Sequence, residues 1–88
     1  MDENNVYVGG KPVGSYIGAV LTQFGQFDEV NLLARGQENI GKAVDVAEII
    51  SKSHEKEIAN IVTGTDSRED TDTGETYRVS NIKITLSD

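Results

Sequence analysis

The sequence predicts an α+β fold with the element order βαβαββ. Three observations lead there. Two stretches, 13–24 and 39–50, place apolar residues at helical spacing, and each follows a short β-rich segment. The last third of the chain holds two more β-rich segments, 58–65 and 76–86, separated by the polar stretch DSREDTDTGE. Finally, 88 residues without an internal repeat or a linker make one domain, 1–88, with residues 1–4 expected as a disordered tail. A chain of this size buries only about 60–65% of its unfolded surface, so a second subunit would add useful apolar burial.

The elements follow in order. NVYVG (5–9) reads as a strand ended by Gly9 and Gly10. Pro12 fits the first turn of a helix, where its missing N–H costs nothing. Val13, Tyr16, Ile17, Val20, Leu21 and Phe24 then form one apolar stripe, and Gly25 stops the helix. VNLLA (30–34) reads as the second strand, broken by Gly36. A second helix is expected to start near Asn39 as N-cap. Ile40, Ala43, Val44 and Ala47 make its stripe, and Val46, Ile49 and Ile50 widen it. So broad an apolar surface suggests burial on two sides, against the sheet and against a partner subunit. In TYRVSNIKITL (76–86), Ile82, Ile84 and Leu86 share a face, whereas Tyr77 and Val79 have the opposite parity. That switch predicts a bulge, or a strand that runs past the core. Asp72, Thr73 and Gly74 form the expected hairpin tip.

Composition narrows the function. There is no cysteine and one histidine, His54, which leaves neither a disulfide framework nor a thiolate or histidine metal site. No cofactor is expected. No apolar run approaches the roughly 20 residues that span a bilayer, and MDENN is unlike a secretory signal, so a cytoplasmic location is expected. Fifteen acids against eight bases give a net charge of −7. Two readings fit: an ordinary acidic domain, or a halophilic one whose self-repulsion is screened within about 3 Å at 1 M salt. The acids of the 66–72 stretch lack the calcium-loop spacing, with its closing Glu twelve residues from the first ligand. No nucleophile–base pair is visible, and no enzyme activity is expected.

ARGQENIGKAV (34–44) has the Gly36, Gly41, Lys42 spacing of a phosphate loop, but Ala43 stands where a Mg²⁺-binding hydroxyl is needed. Nucleotide hydrolysis is therefore the weakest reading. The helix N-terminus retains its attraction for anions, with free N–H groups expected at Gly41 and Lys42 and the cations Arg35 and Lys42 nearby.

Four short motifs occur in a fixed order on this plan. They are Gly10-Lys11-Pro12-Val13, Ala34-Arg35-Gly36, Lys42-Ala43-Val44-Asp45 and Arg78-Val79-Ser80. Together they resemble the Alba family of archaeal chromatin proteins, over roughly residues 5–87. The resemblance implies a two-layer βαβαββ sandwich like the C-terminal domain of translation initiation factor three, with a long hairpin arm. It also implies a homodimer that binds double-stranded DNA, and often RNA, without sequence preference. In that family basic loops meet the phosphates and two arms follow the minor groove. Carried over, Lys11, Arg35 and Lys42 are the expected backbone ligands on the body, and Arg78 the ligand on the arm, with Arg68 beside it. Gln37 and Asn39 share the Arg35 loop and are placed to donate to phosphate or sugar oxygens.

This chain departs from the family's pattern. Gly10 stands where members often carry a first, regulated lysine, and Gln37-Glu38-Asn39 lengthens the arginine loop. Residues 63–78 carry two arginines against five carboxylates, a net charge of −3 where the arm is commonly basic. His54 replaces an aromatic that helps dimers stack along DNA. Other readings stay open. Arg68 and Arg78 could pair with acids across the hairpin, and Tyr77 could stack on a base or contact the opposite strand. Tyr7, Tyr16, Phe24 and Phe27 are expected in the core or an interface. The main alternative is an RNA-binding or regulatory protein of this fold with little role in packaging DNA.

Overall fold

The computed structural model describes residues 4–88. Its elements are β1 Asn5–Val8, α1 Val13–Phe24, β2 Glu29–Arg35, α2 Gln37–Ser53, β3 Glu57–Glu69 and β4 Thr76–Ser87, the expected order. The four strands form one mixed sheet, β1-β2-β4-β3. β1 runs parallel to β2, and β4 runs antiparallel to both its neighbours. Of the expected tail, residues 1–3 lie outside the described residues. Asn4 is fixed to the sheet: its carbonyl accepts from the Asn31 N–H at 2.9 Å.

Alternation along the strands builds the core. Val6, Val8, Val30, Leu32, Ala34, Ile82, Ile84 and Leu86 are buried on one face. Tyr16 and Val20 of α1 and Ala43, Val46, Ala47 and Ile50 of α2 close over them. The buried α2 stripe is narrower than expected, because Val44 and Ile49 remain 40% exposed on its two flanks. Ile61, on edge strand β3, is 54% exposed on the helix side of the sheet. Among the described residues, no helix covers the opposite face, and none is long and apolar enough to cross a membrane.

Three boundaries differ from expectation, and at a fourth, Gly25, the position is as expected but the torsion is not. Pro12 is the N-cap of α1 rather than its first residue, extended at ψ 153°. Gly25 ends α1 with an ordinary right-handed φ of −67°, so its end needs no left-handed glycine. α2 begins at Gln37, because Gly36 takes φ 85° and ψ 151°, a region essentially reserved for glycine. The chain turns there directly from strand to helix, and the Ile40 N–H closes the first turn on the Gly36 carbonyl at 2.9 Å. β3 extends four residues beyond its predicted end, since arm residues pair with β4 while burying almost nothing.

The change of parity in β4 is not a bulge. Its register against β3 is continuous from Thr76 to Leu86, and the irregularity lies in β3, between Ile58 and Asn60. β4 simply leaves the core. The last β2–β4 pair is Arg35 with Asn81, and five further β3–β4 pairs continue from Thr65–Ser80 to Glu69–Thr76. From Ser80 towards the hairpin tip no core face has to be kept apolar. These pairs form an arm of about 17 Å, at ~3.4 Å per residue, on a molecule measuring 46 × 24 × 19 Å.

Candidate nucleic-acid interface

Topology brings the expected ligands to one end of the molecule. β1 and β2 are parallel, so the β1–α1 loop with Lys11 and the β2–α2 junction with Arg35 leave the sheet at the same end. β3 runs the same way, and the arm projects from that end too. The first turns of α2 add Gln37, Asn39 and Lys42.

Lys42 has a more specific role than a surface cation. Its Nζ donates to the Gly9 carbonyl at 2.9 Å and to the Lys11 carbonyl at 2.8 Å. From the core side, the Tyr16 hydroxyl accepts from the Gly9 N–H at 2.8 Å and the Lys11 N–H at 3.0 Å. The Gly9–Lys11 turn is thus held at both carbonyls and both amides, and the exposed Lys11 side chain is carried on a fixed backbone. Burial pushes the Tyr16 phenol up. The N–H groups of Lys11 and Gly9 and the charges of Lys42 and Lys11 outweigh this, and its pKa lies below the ordinary 10.0. The sequence places Tyr16 in the core or an interface, without this anchoring role. An aromatic hydroxyl among aliphatic neighbours, six residues after Gly10, was the available signal.

Arg35 is not a free cation. Its Nε lies 3.1 Å from Asp66 Oδ2, an oxygen that also accepts from Asn81 Nδ2 at 3.1 Å. The arginine side chain is still 61% exposed. An exposed pair of this kind is worth only about 0.2–1 kcal/mol, so a phosphate could compete for the guanidinium. Asp66 is therefore more than one further acid of the arm, because it partly neutralises the candidate ligand Arg35.

The α2 N-terminus also sits differently. Its unbonded N–H groups belong to Gln37, Glu38 and Asn39, while Gly41 and Lys42 lie inside the helix. Asn39 is not the N-cap; its Nδ2 donates to the Arg35 carbonyl at 3.0 Å. Gln37 is exposed at the first helical position. Glu38 in the first turn favours the helix dipole but opposes an incoming anion.

On the arm the two arginines point to opposite faces. Arg68 lies across from Tyr77, and Arg78 across from Ser67. Neither forms an ion pair among the described residues. The acids at the tip partly organise it: Asp70 Oδ1 accepts from the Asp72 N–H at 2.8 Å, and Gly74 turns the chain at φ 74°. Among the described residues no group of acids and histidine is placed to hold a metal ion. Tyr7, expected in the core or an interface, is not a core residue: it is 63% exposed on the helix-free face.

A sequence profile described as Alba matches residues 4–67. The chain belongs to the Alba family. It is 45% identical over 91 aligned positions to the "DNA/RNA-binding protein Alba" of Methanoculleus marisnigri, covering 97% of this chain and 93% of that relative. It is 58% identical over 50 residues to "DNA/RNA-binding protein Alba 2" of Methanopyrus kandleri, but spans only about half, 53%, of that relative's length. Among solved structures it is similar to Alba from Thermoplasma volcanium, with a TM-score of 0.84 and 38% identity, covering 97% of this chain and all of that one. The Alba fold therefore accounts for the arm and for the loops gathered at its base.

Proposed function

We propose that this chain binds nucleic acid without sequence preference, as a homodimer that contacts the phosphate backbone. The observation that carries this reading is the gathering of the fixed Lys11 loop, Arg35, the α2 N-terminus and the arm at one end of the sheet. The description of its relatives as DNA/RNA-binding proteins supports the nucleic-acid part of this reading. Lys11 and the outer part of Arg35 are the phosphate ligands on the body, Gln37 is a neutral donor, and Lys42 positions the loop. Arg68 and Arg78 serve the two faces of the arm. Dimerisation is supported by the exposed apolar residues Val44 and Ile49 on the flanks of α2 and by Ile61 on the uncovered edge strand β3. We place the protein in the cytoplasm, associated with the chromosome.

The cations are few on a molecule of net charge −7. Affinity should therefore be weak in dilute buffer, where distant repulsion is unscreened. It should also fall gently with salt, since each phosphate neutralised adds only about −0.9 to the slope of log K against log salt. A halophilic setting suits both properties. An anisotropy titration of duplex DNA between about 0.1 and 2 M salt tests this. Binding that persists into molar salt supports it; tight binding that collapses steeply overturns it. The Arg35–Asp66 pair and the acidic arm favour a second reading, an RNA-binding or regulatory Alba-like protein with little packaging role. In that case RNA is retained in the same titration and duplex DNA is not.

A further inference from the structure

The helix-free face of the sheet carries side chains that phosphate binding at the loop end leaves unused. The register sets Tyr7, Leu33, Lys83 and Val62 side by side across β1, β2, β4 and β3. Tyr7 is 63% exposed and Val62 52%. These four line a depression of about 550 Å³ together with Arg35, Asn39 and Asn81. We propose that this depression receives an unpaired nucleotide of single-stranded RNA, its base stacked on the Tyr7 ring and its phosphates facing Lys83 and Arg35.

The lining is complementary to a nucleotide rather than to a generic apolar surface. One exposed aromatic ring lies in a row with two aliphatic side chains, which suits the flat face of a base. Lys83 forms no ion pair among the described residues, although acids outnumber bases 15 to 8 in the chain. Asn39 and Asn81 each commit their NH₂ group, to the Arg35 carbonyl and to Asp66, which leaves both amide oxygens as acceptors. A base amine or a ribose 2′-hydroxyl can donate to them. Gly64 makes room for this arrangement, because a Cβ there would lie 2.9 Å from Asn81 Oδ1. The volume falls within the ~300–1,000 Å³ usual for a small-ligand site. A paired base keeps both faces stacked inside the duplex, so the site selects unpaired RNA. It rests on the nucleic-acid reading above and shares Arg35 and Asn39 with that interface.

Labelled 12-nucleotide RNA, single-stranded DNA of the same sequence and a duplex DNA, each titrated against the full chain, provide the test. Tyr7→Ala should weaken RNA binding roughly 5- to 100-fold, the usual effect of losing one stacked base. Tyr7→Phe should restore it to within about twofold, and duplex affinity should not change with either variant. Tyr7→Leu, which keeps apolar bulk in case alanine disturbs the sheet, should also weaken RNA. Lys83→Gln should flatten the salt slope for RNA by about 0.7. Wild-type RNA affinity in both Tyr7→Ala and Tyr7→Leu overturns the proposal while leaving the loop-end interface standing. An equal loss of RNA and duplex overturns it too. Tyr7→Ala abolishing self-association in sedimentation, with RNA binding intact, would assign the face to a second copy instead. Single-stranded DNA bound as tightly as RNA would overturn the role given to the ribose. If the wild type binds none of the three, the phosphate-binding reading fails as well.

Discussion

Lys42 and Asp66 decide how much charge the interface can present. Lys42 spends its ammonium on the Gly9 and Lys11 carbonyls, so its removal should act first on structure. Lys42→Met should destabilise the fold by about 1–2 kcal/mol, the scale of losing charge-assisted hydrogen bonds at a partly exposed site. It should also broaden the amide signals of residues 9–11. Tyr16 holds the same turn from below, and its phenol pKa is lowered in the folded state. A lowered pKa favours the folded state as the phenol ionises, so this contribution is fully present above the ordinary 10.0 and is lost as pH falls through the folded value. The gap in thermal midpoint between wild type and Tyr16→Phe should therefore widen as pH rises towards 10.0. A constant or shrinking gap contradicts this. Asp66→Asn should release Arg35 for phosphate and steepen the duplex salt slope by about 0.9, with tighter binding at low salt. An unchanged slope would mean that Arg35 takes no phosphate.

The elements were readable where burial imposes a period. The stripe from Val13 to Phe24 and the alternation at Ile82, Ile84 and Leu86 correspond to α1 and to the inner half of β4. What could not be read was set by contacts distant in sequence or by backbone torsion. The α2 N-cap is Gly36, three residues before the expected Asn39, because Gly36 adopts φ 85°, which no side-chain pattern reports. Gly36→Ala should therefore destabilise by about 1–3 kcal/mol, the range for a residue forced into that region, measurable by urea denaturation. β3 runs on through polar residues because β4 pairs with it, not because they are buried. At the candidate site, the loops carrying Lys11 and Arg35 were visible as short motifs. The partners of those residues were not, since Lys42 to Gly9 and Arg35 to Asp66 are closed only by the folded topology. The arm's tip, with Asp70, Asp72 and Glu75, remains anionic. Glu75→Lys, two units of charge more positive there, should tighten duplex binding if the arm approaches the minor groove, and leave it unchanged if it points away.

The whole molecule is an anionic body with its usable cations at one end and an arm extending past them. That asymmetry lets local attraction coexist with a net charge of −7, and a two-fold dimer would double it. Ile61→Asp at the exposed edge should convert a sedimenting dimer to a monomer and lower duplex affinity with it. The most direct test of the interface is an amide chemical-shift titration of the labelled protein with duplex DNA and with RNA. Shifts gathered at residues 10–12, at 35–39 and around Arg78 are the predicted result. Saturable binding whose shifts avoid all three segments, or an unperturbed spectrum with either nucleic acid, would contradict it.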